Sequence, residues 1–279
     1  MQVGGTGNRL LSGVQNTSNV LKKTNRELQK ILEKLSTAQR INRAADDAAG
    51  LGVSEQLRSN IRGFKMATQN VEEAMSALNI ADGSGNQISD LMQRQRELAV
   101  AARNDTLTNT DRQAMDVEYQ QLTQEIDRLA QGTNYNRQNT SNGTGLGSGN
   151  AVIQAGAEAG DQMALPRIDF TAASSGLAGT SIATSAGAQN ALTSIDTALQ
   201  SLNQQRSTVG ATINRFTSTV NNLSVAMVNT QAAESVLRDQ DMAEGIAELT
   251  KQQLLREGGI SAFQRFNEMS RSHIMGLLG

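Results

Sequence analysis

The sequence predicts a mainly α fold, built from long coiled-coil helices with a small β-hairpin region between them. Three observations lead there. Aromatic residues make up only 3% of the 279 residues, with no Trp, two Tyr and five Phe. Large aromatics dominate compact cores, so this core must come from Leu, Ile, Val, Met and Ala, which suits narrow helix–helix seams. The only proline is Pro166, which leaves long helices uninterrupted on either side. Apolar residues also recur at alternating steps of three and four, the spacing of a coiled-coil seam.

The elements follow in order. A first helix is predicted over about residues 8 to 35, where Val14, Leu21, Leu28 and Leu35 fall seven apart and Leu11, Ile31 and Leu32 fill offset positions. Residues 36–47 read as a break and restart, with Asn42, Asp46 and Asp47 as candidate caps. The longest run covers about 44–103. Val53, Leu57, Ile61, Phe64, Thr68, Val71, Met75 and Leu78 form its stripe, Gly83 and Gly85 interrupt it, and Ile88, Leu91 and Leu98 extend it. About 55 helical residues would reach roughly 80 Å, a rod that must lie against partners. After a turn at 104–110, a shorter helix is expected from Thr110-Asp111 to about Gln131, with Met115, Leu122, Ile126 and Leu129 on one face.

The middle changes character. Residues 143–149 alternate glycine with other residues, as in a surface loop. Val152-Ile153, Met163 to Leu165 and Ile168 to Phe170 are short strand candidates. Helix resumes with the cleanest pattern in the chain: Leu192, Ile195, Leu199, Leu202, Arg206, Val209, Ile213, Phe216, Val220, Leu223, Met227 and Thr230 alternate three and four without a slip. A last helix spans about 240–276, opened by Asp239 and Asp241, with Gly258-Gly259 as a weak point. Ile246, Leu249, Ile260, Phe263, Ile274 and Leu277 mark one stripe, while Leu255, Phe266 and Met269 occupy other faces. A helix apolar on several sides requires several neighbours, which predicts packing between copies.

Composition excludes whole classes of function. The net charge is −2, so no strong field recruits nucleic acid or an anionic membrane. No run approaches the ~20 apolar residues of a membrane span, and the N-terminus lacks the apolar core of a secretory signal. With no cysteine and one histidine, His273, neither a zinc centre nor a catalytic triad has the residues it needs, and Asp46-Asp47 read as helix caps ahead of a cation site. No metal, no cofactor and no enzymatic activity are expected. The Gly-rich loop lacks the Lys-Ser/Thr of a phosphate loop. Lys22, Lys23, Arg26, Lys30 and Lys34, interleaved with Glu27 and Glu33, read as a solvated helix face.

Several stretches carry more than pattern. Leu35-Ser-Thr-Ala-Gln-Arg-Ile-Asn-Arg-Ala-Ala-Asp-Asp-Ala-Ala-Gly-Leu51, continued by Ser54-Glu-Gln-Leu-Arg-Ser-Asn-Ile-Arg-Gly63, closely resembles the N-terminal signature of bacterial flagellins. Arg94-Gln-Arg-Glu-Leu-Ala-Val100, Glu125-Ile-Asp-Arg128, Gln154-Ala-Gly-Ala-Glu-Ala-Gly160 and Asp239-Gln-Asp-Met-Ala-Glu244 resemble further blocks of that family in the same order. The chain departs from the family at Tyr135-Asn136-Arg137, where Phe-Asn-Gly is common, and at residues 263–271, where a Gln-Ala-Asn-Gln segment is common.

The resemblance implies a subunit that polymerises into the flagellar filament, with the terminal helices as an antiparallel inner-core pair. Residues 1–41 plus 238–279 would form that inner core. Residues 42–237 would form a rod domain, with a β-hairpin region at about 133–171 and no large outer domain. Val14, Leu21, Leu28, Leu249, Ile260, Phe263 and Leu277 would carry the inner seam. The implied partners are further copies of the chain, the flagellar export apparatus and its chaperone, and the hook-associated and cap proteins; the implied place is the extracellular filament, reached without a cleavable signal. In flagellins detected by Toll-like receptor 5, the contact residues match Arg94, Leu98 and Glu118 here. A hook–filament junction protein and a surface adhesion module on the same fold are the alternatives.

Overall fold

A computed structural model describes residues 3–278, with the side chains of 12–269, 271 and 272. Five helices carry the chain: α1 (Val3–Thr37), α2 (Ala48–Ala102), α3 (Asn109–Gly132), α4 (Ser185–Arg238) and α5 (Met242–Leu278). Between α3 and α4 lie strands β1 (Asn134–Tyr135), β2 (Gln138–Asn139), β3 (Val152–Gln154) and β4 (Gln162–Ala164), with a 3-10 turn at Gly145–Gly147. The strands form two antiparallel hairpins, with Tyr135 opposite Gln138 and Ile153 opposite Met163. The chain divides into two compact units, residues 1–58 with 230–279, and residues 59–229.

The first unit is built on α1 and α5. The two run antiparallel: Gly13 lies against Phe266, Leu21 against Gly259 and Leu35 against Gly245, so one index rises as the other falls. Ends are well specified. At the C-terminus of α1, Gln39 N–H donates to Lys34 O and Ala38 N–H to Leu35 O, with Ala38 at φ 54°. That is a Schellman closure with alanine where glycine is usual. Asp47 accepts a bond from Gly50 N–H and caps α2, Asp46 accepts from the Asn42 and Arg43 amides, and Asp241 accepts from the Ala243 and Glu244 amides to cap α5. The chain crosses itself where Arg40 N–H donates to Arg238 O and Gln240 N–H to Ala38 O. There the half-exposed Glu55 carboxylate and the Gln39 side chain hold the buried Arg238 guanidinium.

The second unit has the dense core. Val71, Leu78, Ile88 and Met92 of α2, Tyr119 and Ile126 of α3, and Ile195, Leu202, Val209 and Phe216 of α4 are buried together with Leu165, Ile168, Phe170, Leu177 and Ile182. The ion pairs Arg206–Asp82 and Arg96–Asp196, both at 2.8 Å, set α2 and α4 antiparallel. Arg206 occupies a seam position in the sequence pattern, and its pairing with Asp82 explains how a charge is tolerated there. Thr108 opens α3 with a reciprocal capping box to Asp111. Asp116 and Asp127 of α3 accept bonds from the Ile182 and Ala172 amides, which straps residues 171–184 across that helix.

Several local expectations are corrected. Gly83 and Gly85 lie within one continuous α2 of 55 residues, as the length of its pattern predicts, and Gly258 and Gly259 lie within a continuous α5; cooperative helix bonding on both sides outweighs the ~1 kcal/mol that each glycine costs. Gly85 has a packing reason, because a Cβ there would stand 3.2 Å from Arg206 Cδ and from Phe170 Cε2. Val53 is 52% exposed and lies outside the buried stripe. Ile168 to Phe170 is no strand, but Asp169 bridges to Asn142 and Arg167 to Ser148. The β1–β2 hairpin, in contrast, has no apolar alternation to announce it.

Candidate assembly surfaces

Large apolar side chains remain in water on both terminal helices. On α1, Val20 and Leu32 are exposed; on α5, Met242, Ile246, Leu254, Leu255, Ile260 and Met269 are exposed, Leu254 to 64%. These residues follow from a pattern with more apolar positions than one helix contact can cover. Solvent contact at such a surface costs free energy that a further helix would recover, about 1.5–3 kcal/mol for each large side chain fully buried. The inner-seam candidates divide accordingly. Val14, Leu21, Leu28, Leu249 and Phe263 are half-buried within the first unit, whereas Ile260 is 40% exposed. The Leu277 side chain, like that of His273, lies outside the described residues.

The three receptor-contact candidates sit together in the second unit. Arg94 of α2 reaches α3, where its Nε and Nη2 both donate to Glu118 Oε1 at 3.0 and 2.9 Å, while Nη1 donates to Glu97 Oε2 at 3.0 Å. The hydrogen bonds from Glu97 and Glu118 hold the guanidinium in its charged form, raising its pKa further above the usual arginine value. The cluster is half-exposed, so its ion pairs add little stability; they fix orientation. Leu98, one turn along α2, is only 6% exposed and belongs to the core. Arg94 and Glu118 therefore present a surface, with Leu98 beneath it.

Sequence reasoning missed a cleft in the second unit. Ala74 and Ala77 of α2, Leu146, Ile153 and Leu165 floor a cavity of about 280 Å³, rimmed by Glu73, Tyr135, Asn136 and Gln138. The rim residues belong to no periodic stripe, and the turn residues Asn136 and Arg137 are left-handed at φ 48° and 64°. The only sequence signal was the departure from Phe-Asn-Gly at that turn.

Among the described residues no group of three metal-ligating side chains comes together, and no helix is long and apolar enough to cross a membrane. Long paired helices, capped ends and apolar faces left in water define a class: a helical structural protein whose surfaces exceed what one chain can cover. Residues 11–145 match the bacterial flagellin N-terminal helical region and residues 192–277 the bacterial flagellin C-terminal helical region. The chain is 37% identical over 246 residues to a flagellin of Halalkalibacterium halodurans, covering 88% of this chain and 89% of that one. It is also 37% identical to the flagellar filament 30.7 kDa core protein of Treponema maltophilum, over 89% of this chain and 91% of the other. A crystal structure of Bacillus cereus flagellin superposes with TM-score 0.49 at 34% identity, covering 56% of this chain and 88% of that chain. This chain belongs to the bacterial flagellin family.

Proposed function

We propose that the chain is the structural subunit of a flagellar filament, assembling with further copies of itself to give a propeller for swimming. The observation that carries this reading is the exposed apolar surface of α1 and α5, on a chain of the flagellin family. Residues 1–41 with 238–279 form the filament's inner core, and residues 42–237 the surrounding rod. Val14, Leu21, Leu28, Leu249, Ile260, Phe263 and Leu277 carry the inner seam. The half-burial of Val14, Leu21, Leu28, Leu249 and Phe263 supports this, since each retains apolar surface for a neighbour. Ile260 contributes its exposed face. The subunit acts by association and catalyses no reaction.

Its route and neighbours follow from that role. The flagellar export apparatus and an export chaperone deliver the subunit outside the cell, and hook-associated and cap proteins bound the filament. Purified subunits, seeded with sheared filament, grow long filaments visible by electron microscopy. Short rings or no polymer would count against the reading, and rings would favour a hook–filament junction role. Replacing Leu254 by Asp places a charge on the apolar face of α5 and raises the critical concentration by about tenfold or more.

Arg94 and Glu118, supported by Leu98 packed beneath them, form a contact for Toll-like receptor 5. The planar guanidinium held by Glu118 is a preorganised anchor of the kind interfaces use. Arg94→Ala lowers receptor activation in a reporter-cell assay; undiminished signalling would remove the assignment.

A further inference from the structure

We infer that the cleft beside the hairpins is a socket for a lysine or arginine side chain of a neighbouring copy. The inference rests on the filament reading and names one contact within it. The cleft lies between α2 and the two hairpins, holds about 280 Å³, and combines an apolar floor of Ala74, Ala77, Leu146, Ile153 and Leu165 with a polar rim. Two rim groups are already used: Asn70 donates to Gln154 O, and the Gln154 side chain donates to Gly156 O and Glu158 O. The Glu73 carboxylate is different. It is exposed, lines the cleft from α2, and makes no hydrogen bond or ion pair among the described residues. Tyr135, Asn136 and Gln138 line the same cleft, and the side-chain amides of Asn136 and Gln138 make no hydrogen bond among the described residues.

That combination selects an occupant. A neutral apolar side chain would cover the floor and leave Glu73 desolvated, which is costly. An acidic one would meet a like charge. A long cationic side chain satisfies both halves: its methylene stem lies on the alanine and leucine floor while its head reaches the carboxylate. Tyr135 adds an aromatic ring at the mouth, favourable for a cation within about 6 Å of its face.

The chain can supply the partner. Arg62, Lys65, Arg103 and Arg215 are exposed in the same unit and pair with no carboxylate among the described residues. None of these four residues lines the cleft, and a heterologous contact between cleft and cation is the type that propagates into open helical polymers.

The test uses the full chain in seeded polymerisation, with Glu73→Lys compared against Glu72→Lys. Both exposed residues neighbour each other on α2, and both substitutions change the net charge equally, but only Glu73 lines the cleft. Circular dichroism first establishes that both variants keep the wild-type helix content. Glu73→Lys is expected to raise the critical concentration at least about tenfold, as for reversal of a desolvated ion pair, with Glu72→Lys near wild type. Equal effects from the two would reduce the result to net charge and overturn the socket. Wild-type polymerisation by Glu73→Lys would overturn it as well, leaving the cleft to a small polar ligand or to solvent. Failure of the wild-type chain itself to polymerise would instead strike the filament reading on which the socket depends.

Discussion

Ala38 occupies a backbone state that alanine resists. Its φ of 54° closes α1 through two hydrogen bonds, and an L-residue there loses about 1–2 kcal/mol to crowding of its Cβ. Glycine would remove that strain, while its freer unfolded chain takes back about 0.4–1 kcal/mol. Ala38 is exposed, so no side-chain packing is lost. Ala38→Gly is therefore expected to raise unfolding free energy by roughly 0.5–1 kcal/mol, read as an upward shift of the urea midpoint. A second residue-level effect depends on pH. Hydrogen bonds from Arg238 first and Arg58 second hold the Glu55 carboxyl below its usual 4.5. A depressed folded-state pKa gives stability that is present above the unfolded value and disappears as pH falls through the folded one. Glu55→Gln should be less stable than wild type at neutral pH, where the buried Arg238, bonded also to Gln39, loses the negative charge of its partner. The gap should close on acidification below about pH 4.5, as the wild-type carboxylate takes up its proton. A constant gap from pH 7 to pH 3 would show that the carboxylate's charge is not what matters.

At the scale of elements, two glycines of α2 separate propensity from packing. Gly83 has open space where a Cβ would go, whereas at Gly63 a Cβ would stand 2.8 Å from Ala157 Cβ and 3.2 Å from its Cα. Gly83→Ala should therefore stabilise by about 0.5–1 kcal/mol through helix propensity alone. Gly63→Ala carries the same propensity gain but must push the backbone at Ala157 away. That movement strains the Asn70–Gln154 bond and lowers the thermal midpoint. Opposite signs in paired melting curves are the expected result. The same contrast explains what was legible in advance. Helices α1 to α5 were readable because seam residues such as Ile195, Leu202, Val209 and Phe216 repeat with the helix period and are buried as that period requires. The caps Asp47 and Asp241 were readable because their chemistry is local. The β1–β2 hairpin was not, since two-residue strands are too short for any period and their register rests on the Asn136-Arg137 turn. Nor was the cleft, because Glu73 meets Tyr135 only once the hairpin has folded back on α2. Arg94 and Glu118 stand 24 positions apart, and spacing alone could not pair them; the family resemblance drew attention to both.

For the whole molecule, the two units differ in how much they bury. The second encloses Tyr119, Phe170, Phe216, Met92 and several isoleucines at less than 2% exposure. On α1 and α5, by contrast, Val14, Leu21, Leu28, Leu249 and Phe263 are only half-buried. Local opening free energy follows the apolar surface that opening exposes, so amides of α1 and α5 should exchange with solvent much faster than those of residues 59–229 in the free subunit. Ile246, Leu254, Leu255 and Ile260 are exposed in the single chain; if polymerisation covers them, each adds about 1.5–3 kcal/mol when fully buried. Exchange in α1 and α5 should then slow by two or more orders of magnitude on assembly, roughly the effect of about 3 kcal/mol, while the second unit's buried core changes little. Hydrogen exchange with mass spectrometry, run on free subunit and on filament, measures both. Equal protection of α1 and α5 in the two states would mean that the terminal helices are already complete in one chain. Assembly would then have to draw its free energy from the surfaces of the second unit.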